Sequence, residues 1–481
     1  MSLKRAIAHN SIAQIVGKGI STVLGVAAVM IMTRALGTEQ FGWYATAAGA
    51  MQFAGILTDF GFTVVASSML SEPRFNKTDL FNSFFTWRVI TAVVAHLGTP
   101  IVVWLLPYSL EVKLAASALS LCFISIYIGQ IFTAYYQVKL KMHIQMISEV
   151  LGRIILVAGA AVVAGKNWGF MPMVWLFTIS SIASLWYLWY KSEPVKFYFN
   201  REITTAIFTK MWPVALSVIF NAFYLQGDRV ILPWFVSQTE MGIYSASVRV
   251  VENIFPIPAL LMGMMLPLIT HSWSRGNNAE FRKRVEWSFN LVNLCFIPFT
   301  VGAIVLSYPL VMFLFGAKFT GSAMYLSIVA WKMLGISFGL VFSHILLAMN
   351  QQKKYLWIFA SNAVLSVAGF LYFIPKFGAI GAAYVSLFSE FYCGITMFVV
   401  CCMNTRFVPN FTSFVKICLS SLAMGAFIYY IQPFNFVLSV LLGAAIYGLL
   451  IVLSGVVSRS LIKEILSVKK IGAESPTELV V

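Results

Sequence analysis

Apolar stretches of about twenty residues or more recur along the whole chain, and short polar segments separate them. A helix needs about 20 consecutive apolar residues to cross a hydrocarbon core of about 30 Å. Of the 481 residues, 60% are hydrophobic and only 10% are charged, whereas a soluble domain carries about 25% charged residues. The pattern predicts an all-α polytopic membrane protein. It argues against a soluble enzyme, a secreted disulfide scaffold and a nucleic-acid-binding protein.

Charged clusters and Gly, Pro or Asn turns delimit fourteen apolar segments that are long enough to be transmembrane helices. The first apolar segment is of spanning length and has no convincing cleavage site, so we expect it to remain as the first helix rather than to be removed as a signal peptide. The segments cover about 11–33, 41–70, 83–106, 114–137, 146–165, 172–190, 212–236, 242–270, 286–308, 322–348, 355–375, 379–403, 414–432 and 435–457.

The basic residues fix the expected orientation. The chain has 33 Lys and Arg against 17 Asp and Glu, a net charge of +16. Of these bases, 22 fall in one set of alternate loops and termini, including Arg74, Arg459, Lys463, Lys469 and Lys470. Only five fall in the other set, namely Arg34, Lys113, Lys166, Lys318 and Lys376. The positive-inside rule therefore predicts that both termini are cytoplasmic, which agrees with an even number of spans.

A short motif repeats at an interval of 200 residues. Gly42-x-Tyr44 and Gly242-x-Tyr244 each follow a short acidic turn and open a helix from the predicted outer side. Repeats of this kind occur in transporters built from two related lobes. We therefore predict two pseudo-symmetric six-helix lobes, over residues 1–195 and 196–405. Residues 406–481 then form a C-terminal helix pair and a cytoplasmic tail.

Four short motifs carry a resemblance to a known family. They are Thr33–Tyr44 (TRALGTEQFGWY), Asp59–Phe62 (DFGF), Asp228–Leu232 (DRVIL) leading to Gly242–Tyr244, and Pro375–Ala383 (PKFGAIGAA). In this order the chain resembles bacterial polysaccharide flippases of the Wzx type. The resemblance implies the multidrug/oligosaccharidyl-lipid/polysaccharide (MOP) exporter superfamily, which also contains lipid II flippases and multidrug exporters of the MATE type.

The resemblance implies a non-enzymatic function in the bacterial inner membrane. A flippase of this type moves undecaprenyl-diphosphate-linked oligosaccharide from the cytoplasmic to the outer leaflet by alternating access, with H⁺ or Na⁺ as candidate coupling ions. Expected partners are that glycan, membrane lipids and the polysaccharide polymerase machinery, with no nucleic acid and no cofactor. The alternatives are a multidrug or lipid II exporter of the same superfamily and a membrane polysaccharide polymerase or ligase. The short predicted outer loops disfavour the enzyme.

Six bases remain at membrane depth after the loops are assigned. Charges at this depth usually face a bundle interior or a watery cavity because they are costly in hydrocarbon. Cationic side chains can replace the hydration of a diphosphate, and Arg can do so bidentately. The position of Arg249 in Arg249-x-x-Glu252 also resembles a basic position on the eighth helix of the lipid II flippases. The candidate substrate-binding residues are Lys18, Arg249 and Lys332, which lie deepest, with Arg88, Arg153 and Arg229.

Acidic residues at membrane depth are the candidates for ion coupling, namely Asp59, Asp228, Glu252 and Glu390. Similar depth predicts that Asp59 can meet Arg88 and that Asp228 can meet Arg249. The i,i+4 spacing of Glu149 and Arg153 predicts a local pair. We expect no metal site and no disulfide, because neither the five His nor the six Cys have a suitable spacing. Pro256 and Pro258 are expected to bend their helix.

Overall fold

The computed structural model describes residues 3–72, 75–431 and 435–456 of the chain. Every long element in these ranges is an α-helix, which confirms the predicted fold class. Arg74, the turn at 432–434 and the tail with Arg459, Lys463, Lys469 and Lys470 lie outside the described residues. The helices are α1 (Leu3–Asp59), α2 (Phe62–Ser71), α3 (Lys77–Leu105), α4 (Leu110–Val138), α5 (Met142–Gly165), α6 (Phe170–Tyr190), α7 (Arg201–Ile231), α8 (Gln238–Ile254), α9 (Pro256–Ser274), α10 (Asn278–Val305), α11 (Ser307–Phe315), α12 (Ser322–Val329), α13 (Lys332–Ala348), α14 (Gln352–Thr405), α15 (Thr412–Ile431) and α16 (Phe436–Leu453).

Two helices are far longer than a bilayer is thick. Helix α1 has 57 residues and α14 has 54, or about 80 Å each at 1.5 Å per residue. Each is kinked at a glycine with positive φ, Gly37 at 74° and Gly378 at 58°. Such backbone angles favour glycine because it lacks a Cβ. Both kinks fall between segments that the sequence separates into two spans.

The two halves of α14 form an antiparallel hairpin about Gly378. The Asn362 Nδ2 donates to the carbonyl oxygen of Ser389 at 3.2 Å, and the hydroxyls of Ser366 and Ser389 lie 2.9 Å apart. These residues are 23 to 27 positions apart in sequence, and a straight helix would separate them by about 35 Å or more. Helix α14 therefore runs across the bundle twice.

Eleven helices of the described ranges are long and apolar enough to cross a membrane, or twelve when α7, bent by 46° between Trp212 and Val214, is counted as one span. This count takes α1 and α14 as single helices. Dividing each of them at its kink gives the expected fourteen. The count of fourteen and the orientation stay predictions.

Three expected continuous helices are broken. The segment 41–70 breaks at Phe60–Gly61, where both residues have positive φ. The segment 242–270 breaks at Phe255, directly before Pro256, as its prolines predict. The segment 322–348 breaks at Ala330–Trp331, which the sequence did not indicate. Polar side chains start other helices: Asn76, for example, accepts hydrogen bonds from the backbone N–H groups of Thr78 and Asp79.

The two halves of the chain meet where α1 packs on α8. A Cβ atom on Gly42 would lie 1.8 Å from the carbonyl oxygen of Gln238, and one on Gly242 would lie 2.0 Å from that of Thr38. The contact is reciprocal under the 200-residue repeat, as expected for two pseudo-symmetric lobes. Nearby, Arg34 Nη2 donates to the Phe313 carbonyl at 2.7 Å. The lobes are therefore in close contact at the predicted outer end.

The C-terminal helices α15 and α16 attach to the second lobe. Ile417 and Ile451 form a small buried cluster with Ile297 of α10, and Met424 packs with Leu306 at the end of α10. Tyr447 donates its hydroxyl to the Leu294 carbonyl at 3.0 Å. The helix pair thus packs on the outside of α10.

Candidate functional site

The candidate site is a cavity of about 660 Å³. Residues of α7, α8, α13 and α14 supply most of its wall. Two helix breaks adjoin it: Phe255 at the end of α8 lines the cavity, and Lys332 is the first residue after the break between α12 and α13. The charged lining consists of Asp228, Arg229, Arg249, Glu252, Lys332 and Glu390.

Arg229 and Arg249 share one carboxylate. An Nη2 hydrogen bond joins Arg229 to Glu252 Oε1, and Arg229 Nη1 donates to Gln52 Oε1 at 2.8 Å. Arg249 Nη1 lies 3.7 Å from the other oxygen of Glu252, which is an ion-pair distance but too long for a hydrogen bond. Arg249 keeps nearly all of its donors available to a ligand in the cavity.

Lys332 is buried, with 9% of its surface exposed. It forms no hydrogen bond or ion pair with any other described residue. It lies within electrostatic range of Glu390 and Glu252. Glu390 is itself buried, at 6% exposure. An ammonium group in this environment has three N–H donors to offer a ligand.

Asp228 has other partners than the expected Arg249. It accepts the Tyr244 hydroxyl at 2.7 Å and the Ser386 hydroxyl at 3.4 Å. The backbone N–H of Arg229 also donates to it, at 2.9 Å. The predicted meeting of Asp228 with Arg249 is therefore wrong. Similar depth does not suffice, because Tyr244 and Ser386 bond Asp228 while Arg249 faces Glu252.

The lining balances three bases with three acids, so the site is not the strongly cationic cavity that the sequence indicated. The acids and the bases of the lining nevertheless differ in how many of their hydrogen-bonding groups are already used. Asp228 is satisfied by hydrogen bonds, whereas Arg249 and Lys332 have donors to spare. The arrangement can bind an anion of moderate size, and its carboxylates can take up a cation.

A family model for "Polysaccharide biosynthesis protein" matches residues 7–273. The chain belongs to this family. The matched range includes Arg229, Arg249 and Glu252, which line the cavity. No curated protein matches the chain.

Solved structures share the fold of this polysaccharide biosynthesis protein. The lipid II flippase MurJ in an inward closed conformation is 16% identical, with a TM-score of 0.75, and the match covers 95% of this chain and 100% of that one. A multidrug resistance MATE family transporter of the MOP superfamily, in an inward-facing conformation, is 13% identical with a TM-score of 0.64, covering 82% and 98%. A MOP superfamily transporter from Pyrococcus furiosus is 12% identical with a TM-score of 0.61, covering 84% and 96%. The family match confirms the expected relation to polysaccharide biosynthesis proteins, and the solved structures confirm the expected fold.

The other three candidate bases of this family member lie in the first lobe. Arg88 is fully buried, and its Nη2 bonds Asp59 at 2.6 Å, so the predicted Asp59–Arg88 pair is confirmed. Arg88 also donates to the Tyr127 carbonyl and to Gln130. These contacts use most of the guanidinium N–H groups. They place Arg88 and Asp59 outside the lining of the cavity.

Lys18 of α1 and Arg153 of α5 lie where these two helices pack together, also apart from the cavity. Glu149 accepts hydrogen bonds from Lys18 Nζ at 2.9 Å and from Ser21 at 2.6 Å. The predicted Glu149–Arg153 pair is wrong, because the carboxylate turns toward α1 instead of along its own helix. Arg153 lines a second pocket of about 330 Å³ between α4, α5 and α6.

Three participants escaped the sequence reasoning, namely Gln52, Ser386 and Tyr244. Gln52 reaches Arg229 from α1, and Ser386 reaches Asp228 from α14. Neither is charged, and their partners are 177 and 158 residues away. The third, Tyr244, belongs to the repeated Gly-x-Tyr motif, and that motif was the available signal.

Proposed function

We propose that this protein is a flippase that moves undecaprenyl-diphosphate-linked oligosaccharide from the cytoplasmic to the outer leaflet of the bacterial inner membrane. The observation that carries the proposal is the presence in one cavity of Arg249 and Lys332, both with donors that no other described residue uses. A diphosphate must lose water to cross the hydrocarbon core, and these donors can replace that water. Polysaccharide polymerase machinery would then receive the glycan outside.

The helix breaks around the cavity support a transport function. In membrane transporters, substrate sites are typically formed by discontinuous helices whose half-helix N-termini face anionic groups. The second half of one such helix, α13, begins at Lys332.

The carboxylates of the cavity are our candidates for ion coupling. With three bases and three acids, the lining is close to neutral when all six groups are charged. Uptake of H⁺ or Na⁺ by Glu390 or Glu252 would leave a net positive lining and would favour a dianionic head group. Asp228 is a weaker candidate for ion coupling because its oxygens already accept hydrogen bonds. Asp59, expected with these acids, is engaged by Arg88 away from the cavity.

Reconstituted vesicles test the proposal. Purified protein in liposomes is expected to move a fluorescent undecaprenyl-diphosphate-linked glycan between leaflets, and Arg249→Ala with Lys332→Ala is expected to reduce the rate at least 100-fold. The matched control, Lys166→Ala, removes an exposed base that lies outside both pockets. Unchanged flipping in the double variant would overturn the proposed diphosphate site.

The same vesicles separate the alternatives. Transport of lipid II at a rate equal to that of the glycan-linked substrate would favour the lipid II exporter. Transport of a cationic dye with no movement of either lipid would favour the multidrug exporter. The N–H donors of Arg249 and Lys332 predict that the diphosphate lipids are transported in preference to the cationic dye, because a cation cannot accept hydrogen bonds from them.

A further inference from the structure

The pocket between α4, α5 and α6, here called the first-lobe cleft, is separate from the cavity that the proposed function uses. It has a volume of about 330 Å³, which corresponds to roughly ten waters at about 30 Å³ each. Its polar lining comprises Ser125, Gln130, Thr133, Gln145, Ser148, Glu149, Arg153, Ser180, Ser181 and Ser184. These polar groups, within helices long enough to span the membrane, favour a polar occupant over a hydrocarbon chain.

The hydroxyl groups of the cleft present acceptors. All six donate their protons to backbone carbonyls: Ser125 bonds Leu121 at 2.8 Å, for example, and Ser181 bonds Thr178 at 2.9 Å. Each hydroxyl oxygen therefore has only lone pairs left. The Oε1 of Gln145 is buried and accepts no hydrogen bond in the described structure. The cleft thus lacks donors for several of its oxygen atoms.

Two side chains supply donors in the same cleft. Arg153 forms no hydrogen bond and no ion pair with the described residues, although it lies near Gly25 and within electrostatic range of Glu149. Gln130 accepts from Arg88 at 2.5 Å through its oxygen, which leaves its amide N–H₂ to donate. A matching ligand needs many hydroxyl donors and a few acceptors, closely spaced.

The charges and lone pairs of the cleft disfavour both a bare cation and a compact anion. Lys18 and Arg153 outnumber the carboxylate of Glu149, so a bare cation is disfavoured. A compact anion such as phosphate is disfavoured because it would compete with the backbone carbonyls for the six hydroxyl protons and would face the lone pairs of Gln145 Oε1. A neutral polyhydroxylated group satisfies both sets, because each sugar hydroxyl can donate one hydrogen bond and accept others.

The cleft and the cavity are linked through one aromatic contact. Phe177 lines the cleft and stacks on Tyr44 with ring centroids 4.8 Å apart. Tyr44 lies within electrostatic range of Arg153 on one side and of Arg229 and Arg249 on the other. The Phe177–Tyr44 pair therefore lies between the cleft and the arginines of the cavity.

We propose that the first-lobe cleft is a subsite for a neutral sugar residue of the transported glycan, with Arg153 and Gln145 as its recognition residues. The proposal rests on the proposed function, because the diphosphate in the cavity would deliver the sugar to the cleft. Gln145 Oε1 would gain its missing donor, and Arg153 would donate to ring or hydroxyl oxygens.

Binding to the protein in nanodiscs tests this subsite. The probes are polyprenyl diphosphate alone and the same lipid carrying one glucose, galactose, N-acetylglucosamine or N-acetylgalactosamine. We expect at least one sugar to raise the affinity about tenfold, equivalent to two net hydrogen bonds. Gln145→Leu and Arg153→Met are each expected to reduce this gain to below about threefold. Ser181→Ala is a milder second variant of the same lining.

Controls distinguish the two proposals. Arg249→Ala should weaken bare and glycosylated lipids equally, which leaves the sugar gain intact, and Gln145→Leu should bind the bare lipid as the wild type does. If the wild type does not bind the bare lipid, the proposed function fails. If no sugar raises affinity, or if the gain survives both cleft variants, the subsite is overturned. A larger gain for a glucuronate-bearing lipid than for every neutral one would overturn its neutral character.

Discussion

Gly42 and Gly242 occupy the same place in the two lobes, and each leaves room for the backbone of the other lobe. A Cβ on the first would lie 1.8 Å from the Gln238 carbonyl oxygen, and one on the second 2.0 Å from the Thr38 carbonyl oxygen. The partners Thr38 and Gln238 are likewise 200 residues apart. A sequence repeat of two identical positions thus corresponds to a physical contact between its copies.

Gly42→Ala and Gly242→Ala are each expected to destabilise the fold by about 3 kcal/mol, the upper end of the range for overpacking, because the obstructing atoms belong to the backbone and not to a flexible side chain. The measurement is the thermal midpoint in detergent. Gly263→Ala is the matched control, since a Cβ there meets no atom within 4 Å. A midpoint for Gly42→Ala equal to that of the control would contradict the contact.

Glu252→Ala is expected to destabilise the protein by about 2 kcal/mol, because it leaves Arg229 without its ionic partner. The loss should be smaller than the 3 to 5 kcal/mol of a fully buried pair, since 34% of the Glu252 side chain is exposed. Thermal unfolding of Glu252→Ala, Arg229→Met and the double variant forms the cycle that measures the coupling. Purely additive losses would show that the pair is not coupled.

Arg88→Met is expected to destabilise the first lobe by about 3 to 5 kcal/mol, because it strands Asp59 beside an apolar group. Adding Asp59→Leu should recover much of the loss. The affinity of the surviving folded protein for polyprenyl diphosphate should equal that of the wild type, because Arg88 is outside the cavity. A tenfold weaker affinity at equal folded concentration would return Arg88 to the substrate-binding residues.

Glu390→Gln is expected to uncouple transport from the ion gradient. The amide keeps the size of the side chain but can neither take up H⁺ nor neutralise Na⁺. In vesicles with an imposed pH or Na⁺ gradient, the wild type should accelerate at least tenfold over the gradient-free rate, and Glu390→Gln should flip at one rate in both conditions. Acceleration of the variant to the wild-type level would assign coupling to other groups.

Sequence reasoning located helix ends at two glycines with positive φ but missed the break at Phe60–Gly61. Gly37 and Gly378 separate predicted spans and carry the kinks of α1 and α14. It failed at Ala330–Trp331, since neither residue requires a helix break. Local chemistry predicts a turn when the turn needs glycine or proline. A break imposed by packing leaves no such mark.

Charge pairing shows the same division. The depth of a residue along its helix can be counted, and this was enough for Asp59 and Arg88. The direction of the side chain around the helix axis depends on which helices are neighbours. Glu149 therefore pairs with Lys18, 131 residues away, instead of with Arg153. Arg229, Arg249 and Lys332 share one cavity, but sequence alone could not separate them from the first-lobe bases.

The cavity lies almost wholly within one half of the chain. Apart from Gln52, every lining residue falls between Asn221 and Cys393. If the halves rock against each other, the charged groups of the cavity move together with the second half. The distances between these groups then need not change. Among the hydrogen bonds that the charged lining residues form with described residues, only the Gln52–Arg229 bond, 2.8 Å in this structure, joins the two halves. Breaking this bond as the lobes part would free one guanidinium N–H of Arg229. The cavity would then bind an anion more tightly during transport.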